Sequence, residues 1–224
     1  MNTAMIWHIV WKDWTIYKPV LGLSMLAGIV SLALIGVGSQ LTFYIGTTLL
    51  ITVLVGMGVY LAIRTVVYER KEQTLPFLMS LPISSKEYTW AKLLGNALLF
   101  IVPWAILLIA SLVLIATRSV LPNGLIPFAT VLIGELLVAY ILFLSVALIS
   151  ESEGWTIAAM VIANLFFQLL LFWLANHPVF GPTIWGEVAV WSPIILTILV
   201  AEVIAILAII GVTLYVQGRK TSFL

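Results

Sequence analysis

Two carboxylates, Glu135 and Glu202, stand inside long apolar runs, each about nine residues from the edge of its run. A charge at such a depth costs on the order of 2.5–3.5 kcal/mol on insertion scales, so both side chains must face protein or a water-filled cavity, paired or protonated. Two chemistries are open to them. One is a conduit surface, with Gln168, that meets a cationic group on a transported molecule; the other is a protonated packing contact with neighbours such as Gln168 or Tyr140. A metal centre would need further ligands, yet cysteine is absent and His8 and His177 fall on opposite sides of the apolar core. The chain also lacks a nucleophile elbow, a zincin helix and a Gly-Lys-Ser/Thr phosphate loop. The expectation is a non-enzyme with no cofactor of its own. Cationic residues interleaved with aromatics, as nucleic-acid binding would require, are missing too.

The elements that must position these groups are membrane helices. With 63% hydrophobic and 8% charged residues, the composition lies far from that of soluble domains. Apolar runs long enough to cross about 30 Å of hydrocarbon occur at roughly 19–37, 41–66, 88–116, 126–149, 155–174 and 193–216. The expected fold is an all-α integral membrane protein with six transmembrane helices in one domain, 19–224. Residues 1–18 are expected to form a separate amphipathic helix lying in the interface, with Trp7, Trp11 and Trp14 aligned with Val10 and Tyr17, opposite His8 and Lys12. No cleavable signal pattern precedes it. Nine of the ten cationic residues, all but Arg118, fall on the side of the N-terminus, which places both termini in the cytoplasm of a multi-pass cell-membrane protein. Small-residue pairs such as Ser24/Gly28, Thr52/Gly56, Thr130/Gly134, Ala159/Ala163 and Ala201/Ala205 read as internal helix packing, and Pro103 as a kink. The Asn176–Ser192 stretch, with its prolines, glycines and tryptophans, suits short half-inserted helices at the outer interface.

The main polar interruption is Tyr68–Lys92, YERKEQTLPFLMSLPISSKEYTWAK. Thr74 can cap a short helix with Pro76 in its first turn, and Phe77, Leu78 and Leu81 then share one side before Pro82 stops it. Ser84 and Glu87 have capping-box spacing for the next helix. Such a crosswise helix presents an apolar face either to a partner or to headgroups.

A membrane helix ending in Glu69-Arg70, then Thr74-Leu75, an apolar turn, Leu81-Pro82, Ser84, Glu87 and Lys92, resembles the first coupling helix of type-2 ABC exporter permeases. The chain departs from the family at Gln73, where glycine is common. The span count and topology extend the resemblance to nearly the whole chain. The resemblance implies a permease subunit that exports a hydrophobic or amphipathic cargo, paired with a second permease, identical or related. It also implies a cytoplasmic ATPase as a separate chain, holding ATP and Mg, and re-entrant helices between spans five and six. The ATPase contacts would be Glu69, Arg70, Lys71, Thr74, Phe77, Leu78, Leu81, Pro82, Lys86 and Glu87, with Glu151 and Glu153 forming a second contact at the Ser150–Gly154 turn. Two other classes remain open at this point: an ATP-independent transporter or channel using Glu135 and Glu202, and a non-transporting scaffold or immunity protein.

Overall fold

The computed structural model describes residues 3–71 and 85–219. These form α1 (Thr3–Gly36), α2 (Gln40–Ala62), a π-helical turn (Ile63–Val67), α3 (Tyr68–Lys71), α4 (Ser85–Thr117), α5 (Leu125–Ser150), α6 (Glu153–Asn176), the single turn α7 (Gly181–Ile184) and α8 (Pro193–Arg219). Uninterrupted apolar runs leave the backbone no partner but itself, which selects helices of membrane length. Six are long and apolar enough to cross: Trp7–Gly36, Gln40–Val67, Thr89–Thr117, Leu125–Ser150, Glu153–Asn176 and Pro193–Arg219. The chain is a multi-pass membrane protein. α1 begins and α8 finishes at the same end of the bundle, called here the base.

The separate helix expected over 1–18 is instead the first half of α1, which continues through Pro19 without a break. A proline deletes one backbone bond, and membrane helices tolerate the loss where neighbours and local adjustment satisfy the carbonyl it frees. The aromatic stripe divides: Trp14 and Tyr17 pack against the core, and Trp7 and Trp11 do not. Ile9, Val10, Asp13 and Leu21 are buried, whereas Trp7 and Trp11 are each 62% exposed, so Val10 turns away from the two tryptophans with which the wheel grouped it.

α5 is the centre of the bundle and packs against α2, α4, α6 and α8. Val131, Tyr140, Leu144 and Ala147 on it are fully buried. Tyr140 stacks on Phe100 of α4 at 3.9 Å between ring centroids, and Trp104 Nε1 donates to the Ile133 carbonyl at 2.7 Å. α1 lies along α2 and α4. At Gly46 the first two spans approach so closely that a Cβ would sit 2.7 Å from the Ser31 carbonyl oxygen. Of the small-residue pairs, Gly28, Ala159 and Ala163 are buried inside the bundle, but Gly56 meets open space and Ala201 is exposed.

At the base, α5 passes to α6 through Glu151, a left-handed cap with φ 56°, and Ser152. At the opposite end, the Asn176–Ser192 stretch holds the single turn α7 and no second helix. It is held down by the Gly124 amide donating to the Gly186 carbonyl at 2.9 Å, with Phe180 and Ile184 buried beneath it.

Candidate conduit and its charge-braced base

α2 and α6 both rest on α5 yet scarcely touch each other, and the gap between them is a cleft of about 820 Å³. Its base end is lined by Tyr60, Arg64, Tyr68 and Glu153, and its middle by Thr52, Asn164 and Gln168 among aliphatic residues. A second cavity of about 370 Å³ shares Thr48, Ile51 and Leu171 with the first and continues to Trp185 at the opposite end. Its walls are mainly apolar and aromatic, Phe43, Phe128, Leu132 and Ile184 among them. The two together follow α2 along most of its length, polar toward the base and apolar beyond it.

Three polar groups of the cleft, Arg64, Asn164 and Gln168, are open to a ligand. Arg64 is exposed, its guanidinium 4.4 Å from the Tyr68 ring centroid and 5.9 Å from that of Tyr60. Among the described residues no carboxylate lies within salt-bridge distance of it. Asn164 and Gln168, four apart on one face of α6, are exposed, and neither side chain makes a hydrogen bond among the described residues. Unsatisfied amides at this depth are costly against lipid tails, so the cleft is a place for water or for a molecule with hydrogen-bonding groups.

Arg64 continues the cleft-facing stripe of the second span, in which Thr48, Thr52, Gly56 and Tyr60 follow one another at spacings of four, into the π-helical turn Ile63–Val67. The next residue, Thr65, turns inward, its hydroxyl contacting the Leu61 carbonyl and Asn96 Oδ1, each at 2.7 Å. Asn96 also accepts from the Tyr140 hydroxyl through its backbone carbonyl at 3.0 Å. Beyond the π turn, Glu69 enters a ring of charges. Lys92 Nζ lies 2.8 Å from Glu69 Oε2 and 2.9 Å from Asp13 Oδ2, and Lys12 Nζ lies 2.8 Å from Glu69 Oε1 and 3.3 Å from Asp13 Oδ1. Two cations and two anions thus close a circuit across α1, the end of the second span and α4. Lys92 and Asp13 are fully buried within it. Burial alone would raise the Glu69 pKa, but the ammonium groups of Lys92 and Lys12 outweigh it and hold the carboxyl below its ordinary value.

Of the residues singled out from sequence, Gln168 and Glu153 line the cleft, Glu69 belongs to the ring, and Glu151 caps α5. Glu87 is half-buried in the first turn of α4. Thr74, Phe77, Leu78, Leu81 and Pro82 lie outside the described residues, as do the side chains of Arg70, Lys71 and Lys86. Glu135 and Glu202 line neither cavity; they are buried on α5 and α8, which pack together. A Cβ on Gly134 would collide with Glu202 Oε2, so that carboxyl lies directly on the α5 backbone. Tyr140, considered as a partner for these carboxyls, bonds to Asn96 instead. Asp13 and Asn164 carried no signal in the sequence, because a single acid in an amphipathic stretch or a lone amide in a span acquires meaning only from helices packed beside it. No protein-family model, no curated protein and no solved structure matches the chain.

Proposed function

We propose that the chain is the membrane subunit of an ATP-driven exporter of the type-2 ABC kind, its ATPase a separate cytoplasmic chain that holds ATP and Mg. The observation that carries the reading is the brace at the base. The segment between Lys71 and Ser85 departs just after Glu69 and returns just before Lys92, and those two side chains are joined at 2.8 Å. A pull on that segment therefore reaches α1, α2 and α4 together. A loop that merely closed a hairpin would need no such anchoring.

In this reading Phe77, Leu78 and Leu81 dock in a groove of the ATPase, Arg70, Lys71, Lys86 and Glu87 form the charged rim, and Glu151 and Glu153 lie at a second contact. Nucleotide-driven movement of the ATPase then biases the cleft between α2 and α6 toward one side of the membrane or the other. A second permease, identical or related, completes the conduit alongside the open cleft, and the cargo leaves the cytoplasm. Co-purification tests the assignment. Leu78→Asp or Leu81→Asp is expected to release the ATPase from solubilised complexes, and retention of the ATPase in both variants would remove the docking site from this segment.

One observation favours a second reading. Glu202 Oε1 is buried with no hydrogen-bond partner, next to a second buried carboxyl at Glu135, the arrangement a proton-linked transporter would use. Transport driven by a proton gradient in vesicles free of nucleotide would establish it.

A further inference from the structure

The chemistry lining the cleft carries a statement about its ligand. Arg64 offers a planar cation braced on two tyrosine faces, with no acid beside it among the described residues. Along the helix axis, Arg64 lies roughly 24 Å from Thr48, where the first cavity passes into the apolar second one. Between these points α6 contributes the exposed amides of Asn164 and Gln168. Glu153, at the same mouth, already has an interaction of its own and discourages an anionic head less than an isolated acid would.

We propose that the cleft between α2 and α6 binds an elongated amphipath with an anionic head, a phosphate or a carboxylate. The head lies at Arg64, polar atoms of the body meet Asn164 and Gln168, and the apolar remainder extends past Thr48 toward the second cavity. A guanidinium pairs with either anion through two parallel hydrogen bonds, stronger than neutral ones. Calling the bound molecule a cargo rests on the exporter reading; the binding does not. The same head-group chemistry could be supplied by a bilayer phospholipid.

The test uses purified full-length protein in a neutral detergent, without nucleotide. It is titrated with lysophosphatidic acid and with lysophosphatidylcholine of equal tail length, and bound copies are counted by native mass spectrometry. The anionic probe is expected to bind about tenfold more tightly than the zwitterionic one, a difference of one strong pair. Arg64→Gln is expected to abolish that preference, whereas Lys18→Gln, an exposed cation outside the cleft, keeps it. Gly56→Trp fills open space in the cleft and is expected to weaken both probes, with gel filtration reporting its fold. The proposal fails if Arg64→Gln retains the preference, if Lys18→Gln loses it equally, or if folded Gly56→Trp binds both probes as before. Should Gly56→Trp not fold, the two charge variants decide alone. Organic extraction separates the sources: phospholipid that co-purifies with the native chain and is missing from Arg64→Gln overturns the cargo assignment and keeps the anion site. If the probes behave as expected while no ATPase co-purifies, the exporter reading falls and the site stands.

Discussion

Lys92 and Asp13, 79 positions apart, form an ion pair of 2.9 Å in which neither side chain reaches solvent. Deleting one member leaves an odd charge in the buried ring, since Lys92 must then share Glu69 with Lys12, or Asp13 share Lys12 with Glu69, at a cost of up to about 3–5 kcal/mol. Lys92→Met and Asp13→Leu are each expected to lower the melting temperature of the solubilised protein sharply. The double variant should recover much of the loss, because Lys12 and Glu69 still neutralise each other at 2.8 Å.

Acid should loosen the base of the bundle through Glu69. Its carboxyl is held below the ordinary value of 4.5, so its contribution to stability is fully present above about pH 4.5 and is lost as pH falls through the lower, folded-state value. Melting temperature measured from pH 7 down to pH 3 is expected to decline in that lower window. Glu69→Gln should be less stable at neutral pH and show a flatter acid limb.

Two glycines of α2 should respond oppositely to the same substitution. Gly46→Ala drives a methyl toward the Ser31 carbonyl and the Ile35 amide, backbone atoms that cannot rotate aside. A loss of about 1–3 kcal/mol is expected from overpacking. Gly56→Ala meets nothing within 4 Å and should be neutral or gain up to about 1 kcal/mol from helix propensity. Parallel thermal melts of the two variants check the contrast.

Glu135→Gln and Glu202→Gln should leave recognition of cargo intact, since neither residue lines either cavity. Glu202→Gln places a neutral amide where a carboxylate oxygen is buried without a partner, and is expected to melt at or above the temperature of the native protein. Gln168→Ala, by contrast, removes a group that does face the cleft and should weaken binding. Ligand binding and melting curves on the same preparations distinguish these outcomes.

The six crossings were legible because hydrocarbon length is written directly in apolar run length. The expected 41–66 and 126–149 differ from Gln40–Val67 and Leu125–Ser150 by one residue at each end. The boundary at Lys18 was misplaced because a proline after a polar, tryptophan-rich stretch reads as a break, whereas α1 passes through it. At the site, intramembrane charge drew attention to Glu135 and Glu202, and that signal marks cost, not accessibility. Which polar residues meet the cleft depends on how far apart α2 and α6 stand, and that follows from how each packs on α5. Arg64 was visible only as one more cation on the terminal side, because its alignment at spacings of four with Thr52, Gly56 and Tyr60 acquires meaning only once α6 stands opposite.

The circuit of Lys12, Asp13, Glu69 and Lys92 also has an order in time. A ribosome delivers its first two members with the first crossing, the third after the second crossing, and the last only as the third crossing begins. Until Lys92 emerges, two acids face one amine, so nascent chains ending short of it carry an unbalanced charge at the membrane surface. Chains truncated before Lys92 are expected to be degraded faster in pulse–chase experiments than chains ended after the third crossing, which makes this electroneutral closure a checkpoint in biogenesis.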